Sequence, residues 1–404
     1  MSGMVGRPVV ITGLGVISAL GHDGKAFWSQ LAAGQTGIRP LDRRADDLKP
    51  YPGAVVPDYD PAAYFTNETL PLLDRFSQFA VIAGREALRD AALAPAILKE
   101  CAAVVGTGCG GKQTDEETYA QLYKAHRKRA HPLTIPRGMP SAAASQVSIQ
   151  LGIYGPVFSV ASACASGAHA LIQGALIVQS GLAEAALVGA TDAPFTYGLM
   201  KSWEALRVLS SDTCRPFSAN RSGLVLGEGA AMLVIETADA AARRGARVYA
   251  TIEGYGQSAD ADHITRPRLD GVTRALRRTL DHAGLSPEAV GYINAHGTGT
   301  ISNDPVETRA IRDVFGAHAD HLLISSTKSM HGHALGAASA MELVATALAL
   351  HHQTVPPTVN YTTPDPECNL DCVPNTARKH GFDYALAESF AFGGLNAAVI
   401  LGRP

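Results

Sequence analysis

Cys164 lies in Ser162-Ala-Cys-Ala-Ser-Gly167, between a strand-like run and a helical pattern starting near Ser166. A sulfur at a helix N-terminus is favoured as thiolate, because unpaired N–H groups and the macrodipole lower the thiol pKa without an adjacent base. Taken alone, such a cysteine reads as a small buried hydrophobe. The small residues around it leave a substrate room to reach sulfur. His296 stands in Asn294-Ala-His-Gly-Thr-Gly-Thr300, directly after a predicted strand, where parallel-sheet active sites are built. His333 follows another predicted strand and turn, five residues after Lys328.

One such histidine reads as a satisfied core residue. Two at equivalent strand ends, with a cysteine on the matching element, form a convergent set. A thiolate can attack an acyl thioester and store the acyl group, while two imidazoles donate N–H bonds to an enolate oxygen as a malonyl unit loses carbon dioxide. Neither task needs a metal. His331 and His333 have no carboxylate or thiolate companions at standard ligand intervals, and hydrogen bonding through one tautomer accounts for a catalytic His333.

The elements that must position these groups alternate. Short β-branched runs are read at 8–11, 102–105, 186–188, 231–235, 248–252, 291–294 and 322–325, and helical patterns at 75–91, 167–180, 270–283 and 336–351. The rhythm predicts parallel βαβ units. The runs 158–169 and 323–338 each read as strand, reactive turn and small-residue helix, which duplication explains, as does the frequent reuse of this unit in α/β proteins. The boundary falls near 238–247. Segments 40–71 and 110–140 leave the core. The second carries Tyr123-Lys-Ala-His-Arg-Lys-Arg-Ala-His131, a solvated face or, in its functional reading, a contact for an acidic protein.

Composition bounds the rest. Of 404 residues, 46% are hydrophobic, 18% charged and 40 are glycine, giving a large, tightly packed interior. The net charge of −3 offers no global field for nucleic acid or an anionic membrane. Six cysteines without framework spacing point to a reducing compartment, the cytoplasm. Glycines interrupt the apolar run after Arg7, so a strand and glycine turn explain it better than a secretory signal, and no run reaches the ~20 apolar residues of a membrane helix. Gly13-Leu-Gly15 lacks the third glycine of a dinucleotide fingerprint, and neither Gly106-Thr-Gly-Cys-Gly-Gly111 nor Gly227-Glu-Gly229 leads into the Lys-Ser/Thr of a phosphate loop. Cys368 and Cys372 have no second pair to complete a zinc site.

Nearly end to end, the chain resembles the elongating β-ketoacyl-acyl-carrier-protein synthases. The likeness rests on Val9-Val-Ile-Thr-Gly-Leu-Gly15, Ser162–Gly167, Arg215-Pro-Phe217, Gly227-Glu-Gly-Ala230, Asn294–Thr300, Ser325-Ser-Thr-Lys-Ser329, Gly332-His333 and Phe392-Gly-Gly394. Met139-Pro-Ser-Ala-Ala-Ala144, Thr213–Ser218, Ser258-Ala-Asp-Ala261 and Val355-Pro-Pro-Thr358 bring it closest to the nodulation-type ketosynthases. The resemblance implies a thiolase-like, five-layered αβαβα fold of two similar halves, 1–240 with the nucleophile and 241–404 with the histidines. It also implies a decarboxylating condensation of an acyl group with malonyl-carrier protein, and no cofactor, since phosphopantetheine arrives on the carrier. By position it makes Cys164 the acylated nucleophile, His296 and His333 the promoters of decarboxylation and condensation, and Lys328 an electrostatic orienter supported by Glu307. The N–H groups of Cys164 and Phe392 become an oxyanion hole, with Phe392 and Gly393 at the acyl gate. Thr298 and Thr300 become pantetheine contacts, and Arg207 a carrier-protein contact that weakens with salt.

Ala391 replaces the usual glycine before the gating Phe and stiffens it, Leu395 a common Thr, and Ser222 the Asp usual after Arg221. Cys109 stands where such enzymes often carry a larger aliphatic residue beside the acyl pocket, so a bulky, long or unsaturated chain fits. The lysine-rich carrier contact of housekeeping enzymes is missing around Asp74 and Arg75, which suits a dedicated carrier. Degradative thiolases carry a second cysteine in the C-terminal glycine turn, absent from Ser389–Gly394. The usual assembly is a homodimer. The alternative is a ketosynthase that needs, or acts as, a chain-length-factor partner in a heterodimer; an intact Cys164 argues against the non-catalytic role.

Overall fold

The computed structural model describes residues 7–41 and 47–404. Ten strands form its main sheet: β1 Val9–Ser18, β2 Ala102–Gly106, β3 Val157–Val160, β4 Ala185–Asp192, β5 Gly229–Thr237, β6 Ala250–Ala259, β7 Val290–Asn294, β8 Leu323–Ser325, β9 Tyr384–Ala391 and β10 Leu395–Gly402. Their spatial order is β8-β7-β9-β10-β6-β1-β5-β4-β2-β3. Outward from the centre, β1-β5-β4-β2-β3 on one side repeats β6-β10-β9-β7-β8 on the other. The two sets meet through three antiparallel residue pairs, such as Val9 with Ile252.

The sheet is mixed, correcting the expected run of parallel βαβ units. Only β2 with β3 and β4, and β7 with β8 and β9, are parallel. The antiparallel remainder includes the C-terminal hairpin β9–β10, closed by Gly393 and Gly394 at positive φ and not read from the sequence. Nor is there a glycine turn after Ile11: β1 runs on to Ser18 past a register shift between Ile11 and Gly13. A Cβ on Gly15 would sit 2.0 Å from the Ala83 carbonyl oxygen, so that glycine lets the helix Arg75–Ala91 close onto the strand.

Helices complete five layers. Helix α1 (Arg75–Ala91) packs on the outer face of β1, β5 and β4. Between the two halves, α2 (Ser166–Ser180) and α6 (Gly336–His352) pack on each other. On the far face, α4 (Leu269–Ala283) packs on α5 (Asn303–Phe315), and α3 (Tyr197–Leu206) lies beside the site. Every residue of α6 from Gly336 to Leu350 is buried, which an Ala-rich sequence with apolar residues all round permits. The predicted excursion over 40–71 includes the short pairing of Arg39–Pro40 with Pro52–Gly53, and residues 42–46 lie outside the described residues. The basic run 124–131 is exposed throughout.

Candidate active site

Both central helices begin at the site. Cys164 sits in a 3₁₀ turn, Ala163–Ala165, between β3 and α2. Ala163 holds φ +48, a left-handed conformation that costs a non-glycine residue on the order of 1–3 kcal/mol and recurs at functional turns. His333 occupies the turn before α6, its N–H donating to the Val225 carbonyl (2.7 Å). His296 follows β7; its N–H donates to Glu307 Oε1 (2.6 Å) and that of Gly297 to Oε2 (2.8 Å), so one carboxylate fixes the loop.

The fold brings the three groups together. His333 Nε2 lies 3.0 Å from Cys164 Sγ, and the ligand-capable atoms of Cys164, His296 and His333 fall within 4.8 Å of one another. The imidazole rings stand edge to face, centroids 5.6 Å apart. Lys328 is fully buried: Nζ donates to the His296 carbonyl (2.5 Å), lies 3.3 Å from His296 Nδ1 and pairs with Glu342. An ammonium can only donate, so His296 Nδ1 is the acceptor and its proton resides on Nε2.

Burial sets the electrostatics. It pushes the Cys164 thiol up to about 12, against the opposing pull of Lys328 and the Phe392 N–H. The thiolate expected from the helix N-terminus is therefore corrected: desolvation outweighs it, and the resting sulfur keeps its proton. Burial first, then the Lys328 charge, depresses both histidines well below their usual range, so both are neutral. Glu342 is lifted to about 7 by burial, opposed by Lys328.

The other predicted residues distribute around two cavities. A space of about 210 Å³ is lined by Cys164, His296, His333, Thr298 and Thr300, with the two threonine hydroxyls 2.9 Å apart. A second, of about 280 Å³, is lined by Cys164, Cys109, Leu199, Ser202 and Leu335. Phe392 borders both. Gly393 lines neither; its N–H is tied to the Ile264 carbonyl (2.7 Å), and Gly394 takes the wall position instead. Arg207 is exposed, between Leu206 and Val208 of the first cavity's wall. Glu307 supports the His296 loop; the carboxylate on Lys328 is Glu342.

Sequence reasoning missed two acidic residues. Glu342 hides in an Ala-rich helix, where a lone acid is the only signal. Asp192, ending β4, is fully buried: its Oδ1 accepts from Thr107 Oγ1 (2.8 Å), Cys109 N–H (3.0 Å) and Cys109 Sγ–H (3.2 Å), and its Oδ2 from Gly108 N–H (2.8 Å) and Gly336 N–H (2.7 Å). It ties the wall of the second cavity to the start of α6, three residues after His333.

Known proteins resemble the chain over nearly its whole length. The profile of the β-ketoacyl synthase N-terminal domain matches residues 6–241 and that of the C-terminal domain residues 249–362. Nodulation protein E of Rhizobium sp. (strain N33) is 45% identical, covering 97% of this chain and 98% of its own. The 3-oxoacyl-[acyl-carrier-protein] synthase 2 of Staphylococcus aureus (strain COL) is 40% identical, covering 98% of each. The solved ishigamide ketosynthase/chain length factor superposes with a TM-score of 0.95 at 36% identity, over 99% of this chain and 100% of that one. With both domain profiles and near full-length relatives in agreement, the chain belongs to the β-ketoacyl synthase family.

Proposed function

We propose that Cys164 accepts an acyl group from a carrier-protein thioester and that His296, His333 and Lys328 drive its condensation with malonyl-carrier protein. The observation that carries this is one thiol and two neutral imidazoles meeting between two cavities. As the sulfur attacks the thioester carbonyl, its proton passes to His333 Nε2 and then to the departing pantetheine sulfur. The carbonyl oxygen is held by the N–H groups of Cys164 and Phe392. Malonyl then loses carbon dioxide; the electron pair of the broken C–C bond forms an enolate, whose oxygen faces His296 Nε2–H and His333. The enolate carbon attacks the acyl carbonyl, Cys164 leaves as thiolate and takes a proton from solvent, and a 3-oxoacyl thioester departs.

Thr298 and Thr300 guide the pantetheine arm, Cys109 shapes the acyl end, and Arg207 receives an acidic carrier at the mouth. Pantetheine belongs to the substrate, so the reading needs no metal or resident cofactor. The division into 1–240 and 241–404 is supported by the repeated strand order. A homodimer is supported by β3, a sheet-edge strand with Phe158 exposed. The six free thiols suit the cytoplasm, and no helix among the described residues is long and apolar enough to cross a membrane.

Likeness to a ketosynthase/chain length factor favours a second reading, dependence on a heterodimeric partner. Incubating the purified chain alone with acyl- and malonyl-carrier protein separates the two: 3-oxoacyl product without a second subunit removes that dependence. On intact-protein mass spectra, Cys164→Ala abolishes the acyl adduct, whereas His333→Ala, without the base beside the thiol, still forms it but slowly and turns over poorly. An adduct persisting in Cys164→Ala refutes the assignment.

A further inference from the structure

The first cavity carries a single permanent charge. Among the described residues no Asp or Glu lines its wall, and Arg266 is the only Lys or Arg there. Cys164, His296 and His333 close its buried end, whereas Arg266 is exposed, so the charge stands at the solvent end. Arg266 belongs to the loop 260–268 between β6 and α4, and that loop is tied down. The Ile264 carbonyl accepts the Gly393 N–H, His263 Nδ1 accepts the N–H groups of Thr265 (3.1 Å) and Arg266 (3.3 Å), and the Arg268 N–H donates to Asp260 Oδ2 (2.9 Å). The two arginines of the loop differ. Arg268 has Asp262 at 3.5 Å and Asp270 at 3.6 Å, while the Arg266 guanidinium has no hydrogen bond or ion pair among the described residues.

We infer that Arg266 binds the phosphodiester of the carrier protein's phosphopantetheine arm and sets a preference for phosphorylated over unphosphorylated pantetheine thioesters. The inference rests on the acyl-enzyme reading above. With the thioester at Cys164 and the arm running past Thr298 and Thr300, the arm's one negative charge lies at the end remote from sulfur, where the wall offers its one unpaired cation. A guanidinium holds phosphate through two parallel N–H···O bonds, a geometry an ammonium does not reproduce. Because Arg266 is exposed, the gain falls between that of an exposed ion pair and that of a charge-assisted hydrogen bond, about three- to tenfold in loading rate. Salt reduces it.

The wild-type protein is loaded with hexanoyl-pantetheine and with hexanoyl-phosphopantetheine, whose phosphate monoester stands in for the carrier's diester. Rates are read by intact mass at equal, subsaturating concentrations. At low salt the phosphorylated thioester loads about three- to tenfold faster. Arg266→Gln removes the difference by slowing that thioester alone, and Arg266→Lys keeps part of it. Arg268→Gln, which removes a guanidinium already paired, leaves the difference intact. Wild-type adducts formed with no preference for phosphate, or a preference that survives in Arg266→Gln, overturn the phosphate contact alone. So does equal slowing of both thioesters by Arg266→Gln, or loss of the preference in Arg268→Gln. No adduct from either thioester overturns the acyl-enzyme reading and the contact with it.

Discussion

Replacing Asp192 by Asn alters one atom and disturbs a defined part of the site. The carboxylate serves five donors, and an amide keeps a single acceptor oxygen. With nitrogen at the Oδ2 position, the Gly108 and Gly336 N–H groups would both face a donor. With nitrogen at Oδ1, only the Cys109 N–H does, because the Thr107 hydroxyl and the Cys109 sulfur can turn to accept. The second arrangement wins, leaving one buried N–H unpaired at about 1–3 kcal/mol and removing the charge from the remaining bonds, for a total of roughly 2–4 kcal/mol. The loss falls on the Cys109 wall and spares the Gly336 anchor. Urea denaturation gives the stability change; intact-mass loading of hexanoyl and dodecanoyl thioesters gives its location. Asp192→Asn lowers stability by that amount and slows dodecanoyl loading more than hexanoyl loading. Wild-type stability, or equal slowing of both chains, refutes the reasoning.

Lys328→Ala removes the donor that fixes the His296 tautomer; acylation stays within a few-fold, while malonyl-carrier decarboxylation, followed as carbon dioxide release, falls about 10²–10³-fold, and an undiminished release excludes Lys328 from that step. Cys109→Phe fills the second cavity and shortens the longest chain loaded on Cys164, measured by mass; an unaltered chain profile places Cys109 outside the acyl path. With the Cys164 thiol raised to about 12, its thiolate fraction climbs about tenfold per pH unit throughout the neutral range, so iodoacetamide alkylation keeps accelerating from about pH 7 to 9; a plateau below about pH 8 would mean a preformed thiolate.

The residues proposed to react were legible because each follows a strand in a turn of small side chains, a local pattern that sequence preserves. Cys164, His296 and His333 converge as their turns implied, and Cys109 and the threonines line the spaces on either side. What escaped depended on burial. The helix N-terminus at Ser166 argues for a thiolate, yet the protonation of Cys164 is decided by residues distant in sequence that exclude water from it. Glu342 pairs with Lys328 across fourteen positions and from another helix, which no spacing rule connects. Glycine misled in the same way: Gly13 and Gly15 look like a turn, but only the approach of α1 from residue 75 onward explains why the strand carries them.

Burial also accounts for the choice of groups. The same desolvation that raises the thiol lowers both imidazoles, so these three side chains rest neutral, and the nearby Lys328 cation is turned toward Glu342 and the His296 backbone. In the proposed mechanism this matters because malonyl enters carrying the carboxylate it must lose. An imidazolium pair would grip that carboxylate and stabilise the ground state as much as the enolate, a uniform binding that does not accelerate the step. The neutral His296 N–H strengthens its bond as charge moves onto the enolate oxygen, and it gives the departing carboxylate no opposite charge to hold. Protonating either histidine would therefore slow decarboxylation, and depressing both pKa values keeps that form scarce across the neutral range.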